Sequence, residues 1–220
     1  MATSLQPTPT ARRMTSVLPV LPLENTVLFP RTLLPIRIFE PRYRAMLLDV
    51  QQATGLIVIA LKAGDGFQRL GTVGRVKASR PLEDGSFEIQ LAGMCRVSLE
   101  PRFSEKPYAQ ARVVPKPERT GTGDREIIEQ ARLELLASYG ILRGMLRGNE
   151  PLIRHQDLPF ELAVNTTSAG LPVEASLRQL LLEEDTLLGR QRLATELLST
   201  VIDALSWLKA MKGNSSTITN

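Results

Sequence analysis

The stretch Val17–Asp49, VLPVLPLENTVLFPRTLLPIRIFEPRYRAMLLD, decides the fold. Its first part, Leu18-Pro19-Val20-Leu21-Pro22-Leu23, cannot be helical, because two prolines three residues apart each push the preceding residue out of the α region. It reads as an extended strand, with a sheet edge as its expected place, since proline cannot donate to a ladder. A polar turn at Glu24-Asn25-Thr26 is followed by apolar Val27-Leu28-Phe29-Pro30 and then by Leu33–Phe39, which alternates well enough for a strand with one face in a core. Glu40-Pro41 opens a helix with Tyr43, Met46, Leu47 and Val50 at helical spacing.

Working outward, residues 1–15 are rich in Thr, Pro and Ala, with little to bury, and are expected to be a disordered tail. Leu56–Leu61 is a continuous apolar run of strand length, expected to be a central strand covered on both faces, and Gly64-Asp65-Gly66 ends it in a loop. Val73–Val76 suggests another strand, Asp84-Gly85 a hairpin, and Phe87, Ile89 and Leu91 alternate with Glu88 and Gln90. Further strands are expected at Cys95–Leu99 and Ala109–Val114, so residues 16–117 read as a small antiparallel barrel or rolled sheet.

Pro115-Lys116-Pro117 and Thr120-Gly121-Thr122-Gly123 break the composition, after which the apolar period changes from two to about 3.6. Asp124 can cap a helix with Ile127, Ile128, Ala131, Leu135 and Leu142 along one side. Further helices are expected from about Leu158 to Gly170, from Pro172 to Glu184 and from Asp185 to Lys212. In the last, Leu187, Ala194, Val201 and Leu208 lie seven apart with Leu198 and Leu205 between them, a packing seam. Residues 124–212 are thus a helical bundle and 213–220 a frayed tail, and the class is α+β.

The boxes LPLxxxVLFP (Leu21–Pro30) and LPIxIFEPRYR (Leu34–Arg44) carry a resemblance. With GTVGRV (Gly71–Val76) and the weaker helical LRQLLLEEDTLLGR (Leu177–Arg190), they resemble the LON substrate-binding domain. This is the amino-terminal domain of Lon-type ATP-dependent proteases, and the likeness is strongest to short bacterial proteins that contain that domain alone. The resemblance implies a PUA-like antiparallel β pseudo-barrel followed by a helical bundle. It also implies a non-enzymatic role in protein quality control, holding unfolded or exposed apolar polypeptide segments, or a protease or chaperone partner. The PUA-like fold, together with the sequence pI of about 9.5, leaves an RNA-binding module as the alternative.

Composition narrows the classes. With 43% hydrophobic and 23% charged residues the chain is that of a soluble globular protein, and no apolar run reaches the 18 or so residues of a membrane span. Arg12-Arg13 precede an apolar run, but Pro19, Pro22 and Glu24 break it before a signal-peptide helix could form. The single Cys95 excludes an internal disulfide and fits a reducing compartment, so the cytoplasm is expected. A net charge of +4, spread as scattered arginines, argues against a nucleic-acid footprint.

Chemistry is sparse. A Ser-His-Asp arrangement would have to use the only histidine, His155, and no nucleophile elbow accompanies it. One His and one Cys cannot build a zinc site, and Gly66 and Gly71 have the separation of a Walker loop without its lysine. Neither ATPase motifs nor a Ser-Lys peptidase box occurs, so no catalytic residue, metal or cofactor is expected. Binding remains. It needs apolar groups kept in water, and the candidates are Phe29, Leu33, Phe39 and Tyr43, around the proline turns of the opening stretch.

Overall fold

Among the described residues, six strands run in the order β2-β5-β4-β3-β1-β6, and β5 also pairs with β6, so that β5, β4, β3, β1 and β6 close a ring with β2 added to the outside of β5. The strands are β1 (Val17–Leu23), β2 (Leu33–Ile38), β3 (Leu56–Ala63), β4 (Gly66–Pro81), β5 (Phe87–Arg102) and β6 (Gln110–Lys116). Helices α1 (Pro41–Gln52), α2 (Arg125–Arg147), α3 (Phe160–Gly170), α4 (Ala175–Glu183) and α5 (Leu187–Ser215) complete the α+β architecture. The computed structural model describes residues 17–147 and 158–215. The expected tail at 1–15, His155 and the end of the expected tail beyond 215 lie outside them.

The sheet corrects two expectations. β1 is not at an edge: Val17–Pro19 pair antiparallel with β6, and Val20–Leu23 pair parallel with β3. Each half therefore has one registered partner, and each proline sits where the ladder asks for hydrogen bonds on one side only, which is how an interior strand tolerates both. The barrel is also not wholly antiparallel. β1 and β3 can be parallel because β2 and α1 intervene, supplying the crossover that such a pair requires.

The strands expected at 87–91 and 95–99 are one strand, β5, whose register against β4 slips between Val73 and Gly74 and again between Val76 and Ala78. These irregularities bend the long β4–β5 ribbon, so its first part carries β2 while its last part closes the ring with β6. Gly66 and Gly71 both fall within β4, which removes the phosphate-loop geometry.

Alternation along β3 divides the core. Leu56, Val58 and Ala60 face an interior shared with Leu18, Val20, Val73, Val97 and Val113. Ile57 and Ile59 face outward, under α1. The four apolar residues spaced along α1, Tyr43, Met46, Leu47 and Val50, are its buried set. Their burial stabilises the unit by on the order of 10 kcal/mol before chain entropy is subtracted.

Two compact units emerge, the first reaching Glu118 and including Ala175–Glu183, the second formed by Arg119–Glu174 and Glu184–Asn220. Helix α4, expected within the bundle, thus belongs with the barrel. Its Gln179 Nε2 donates to the Leu70 carbonyl at 3.1 Å, Arg96 Nη1 donates to the Leu182 carbonyl at 2.9 Å, and Leu181 and Leu182 are buried. Arg96, fully buried, is also paired with Glu118 at 2.6 Å, which makes the burial of its charge tolerable.

In the second unit α2 begins at an Asp124 cap, whose Oδ1 accepts from the Ile127 amide at 2.9 Å. Ala131, Leu135 and Leu142 are buried as their spacing predicts, joined by Tyr139, whereas Ile127 is exposed. Along α5 the heptad seam is buried at Leu187, Ala194 and Leu198, half-buried at Val201 and Leu205, and exposed at Leu208. Helix α5 also continues to Ser215, into the segment expected to fray.

Candidate functional site

A cleft of about 480 Å³ opens in the first unit where the end of β1 and its following turn, the end of β2, the start of α1 and the β3–β4 hairpin meet. Leu21 and Ile38, both buried, and half-buried Leu23 and Ile36 give it aliphatic walls. Phe39 stands on its rim, 66% exposed. The exposure follows from the pleat: Ile36 and Ile38 share the face of β2 that meets the α1 core, so Arg37 and Phe39 take the other parity. Pro41 then starts α1 immediately, leaving no residues with which to fold the ring inward.

The rim is charged and largely paired. Lys62 Nζ lies 2.6 Å from Glu24 Oε1, a contact that lowers the Glu24 pKa and raises that of Lys62. Arg42 donates from Nε to Glu40 Oε2 at 2.8 Å, and its guanidinium stands 4.5 Å from the centroid of the Tyr43 ring. Arg37 is ion-paired with Asp84 and donates from Nε to Ser86 Oγ at 2.9 Å. Burial, ahead of its charged neighbours, pushes the Tyr43 phenol upward. The arrangement suits docking, with an apolar trough, a projecting ring, and cations already neutralised so that little charge is stripped of water when the trough is covered.

The four expected contact residues separate. Phe39 and Tyr43 both line the cleft, although Tyr43 is itself buried and contributes mainly as a wall. Leu33 is 60% exposed, but it lies at the opposite end of β2. Phe29 is wholly buried, and its loop is clamped onto β5: Arg31 N donates to Gly93 O, and Gly93 N to Thr32 O, both at 2.9 Å. Glu24, Lys62 and Asp65 of the cleft were missed by the sequence reading. As charged residues beside turns they look like any solvated surface.

Cys95 is half-buried, and burial, followed by the nearby Glu118 charge, raises its thiol pKa, the environment of an inert cysteine. A larger groove of about 830 Å³ lies between α2 and α5, with Ile127, Leu133 and Leu188 along it. No helix among the described residues is long and apolar enough to cross a membrane.

Residues 17–200 match the family described as the ATP-dependent protease La (LON) substrate-binding domain. The chain belongs to this family. Its sequence is 26% identical over 203 residues to the Lon protease of Chloroherpeton thalassium, covering 89% of this chain and 24% of that protein. It is 28% identical over 209 residues to Lon protease 2 of Herpetosiphon aurantiacus, covering 86% and 24%. The chain thus spans about a quarter of the length of these curated relatives. The N-terminal domain of the Mycobacterium avium complex Lon protease shares the fold, with a TM-score of 0.66 at 20% identity, covering 83% of this chain and 98% of that one. A Lon N-terminal domain protein from Xanthomonas campestris does so at 0.57 and 18% identity, covering 81% and 96%. Most of the cleft lining falls in the two boxes, Leu21–Thr26 in the first and Ile36–Tyr43 in the second, and the β3–β4 hairpin adds Lys62, Asp65 and Gly66.

Proposed function

We propose that this LON domain is a binding module that holds unfolded or exposed apolar polypeptide segments in the Phe39 cleft, without turning over a substrate through its own side chains. The observation that carries the reading is the exposed Phe39 ring beside an aliphatic trough, in a family described as substrate-binding. A large apolar side chain held in water at a cleft mouth is the feature that a partner's apolar residues would cover. The barrel gives the trough a rigid frame, because Leu21 and Ile38 are fixed by the core beneath them. Such a module would work in the cytoplasm, where unfolded clients arise, beside a protease or chaperone that acts on what it holds.

The test uses the full chain and a permanently unfolded, reduced and alkylated model protein as client. Phe39→Ala should weaken binding about fivefold to tenfold, as expected for an interface aromatic, while leaving the melting temperature unchanged because the ring is exposed. Unaltered affinity in that variant would refute the cleft as the docking site.

A further inference from the structure

We infer that the cleft selects apolar segments flanked by a lysine or arginine, with Asp65 as the residue that reads the cation. The inference rests on the reading of the cleft as a polypeptide site and names the class of segment it takes.

Six charged side chains line the cleft: Glu24, Glu40 and Asp65 against Arg37, Arg42 and Lys62. A simple count suggests neutrality, but the pairing breaks the balance. Lys62 is held by Glu24 at 2.6 Å, and Arg42 by Glu40 at 2.8 Å. Arg37 turns away to Asp84, which is not among the lining residues. All three cations are therefore charge-paired within the protein. Asp65 is exposed at the β3–β4 hairpin, and its carboxylate makes no hydrogen bond or ion pair with any described residue. Once the pairs are discounted, the cleft offers an incoming chain one free charge, and that charge is negative.

The placement makes the free carboxylate selective. Asp65 sits between Gly64, whose φ of 53° sets the turn, and Gly66, the first residue of β4. It lines the cleft from the hairpin, with no side chain on either immediate neighbour to screen it. A segment whose apolar residues fill the trough would bring a flanking residue past this carboxylate. A cation there gains an attraction that costs the protein no existing pair, whereas a glutamate is repelled by the same carboxylate. Each cation of the lining already stands against a carboxylate of the protein, which offsets most of its attraction for an incoming glutamate.

The experiment compares two peptides with acetylated and amidated ends and one aliphatic centre, one flanked by lysines and the other by glutamates, by fluorescence anisotropy on the full chain. At low ionic strength the lysine peptide should bind about threefold to tenfold more tightly, a ratio that shrinks as salt rises, as for an exposed pair. Asp65→Asn should bring the ratio close to one, and Asp65→Lys should invert it. Phe39→Ala should weaken both peptides together and leave the ratio standing. Equal binding of the two peptides, or a preference that survives Asp65→Lys, overturns the inference while leaving the cleft in place. Failure of both peptides to bind overturns the cleft as well.

Discussion

Arg178 donates from Nη2 to the main-chain carbonyl of Asn25 at 2.9 Å, tying α4 to a turn 153 residues earlier in the chain. Asn25, with Glu24 and Thr26, forms one lip of the cleft. A helix that reads as bundle material therefore fixes part of the site. Arg178→Met keeps the stem of the side chain but removes the donor, leaving the carbonyl to water. Stability should fall by about 1 kcal/mol, a lowering of roughly 2–4 °C in a chain of this size. Client binding should weaken severalfold because the lip is released. Thermal melts beside anisotropy would show both effects, and an intact affinity would mean that the lip holds without α4.

Gly93 is required by a close approach. A Cβ there would stand 2.1 Å from the Phe29 carbonyl oxygen and 3.0 Å from its carbonyl carbon, so backbone would have to move. Gly93→Ala should cost about 2–3 kcal/mol, in the range of overpacked cores. Gly140, inside α2, is the contrast. A Cβ meets nothing there within 4 Å, and Gly140→Ala should stabilise by about 0.5–1 kcal/mol through helix propensity. Urea titrations followed by circular dichroism would separate the two signs.

Asp49 on α1 accepts hydrogen bonds from the Tyr108 hydroxyl at 2.6 Å and from Lys106 Nζ at 2.9 Å. The tyrosine first, then the lysine, hold its carboxyl below the usual range. A depressed carboxyl contributes stability above the unfolded-state value, and loses it as pH falls through the folded one. Asp49→Asn should thus be destabilised relative to the natural chain at neutral pH, with the gap closing in strongly acidic buffer. Burial, then the bond to Asp49, raises the Tyr108 pKa, so on the alkaline side its contribution is full below the point where free tyrosine ionises and is lost as pH rises from there through the folded value. A gap between the two proteins that stays constant with pH would show that the carboxylate's charge plays no part.

Much of the fold was written locally. The prolines of β1, the α1 stripe of Tyr43, Met46, Leu47 and Val50, the doubly covered β3 and the Asp124 cap each follow from backbone sterics and a two- or 3.6-residue period. Neighbours in sequence decide such features, so the sequence alone determined them. It also carried the two boxes that supply most of the cleft lining.

Only the tertiary structure decided the rest. The place of β1 inside the ring depends on which strands lie on either side of each half, and no residue of β1 encodes that. The fate of Phe29 depends on Gly93, and that of Asp65 on whether Arg37 spends its charge on Asp84. The assignment of α4 to the barrel depends on Gln179, Arg178 and Arg96 finding partners across long stretches of chain. Burial and charge pairing are properties of where distant segments meet, and a local pattern specifies a face without naming what will cover it.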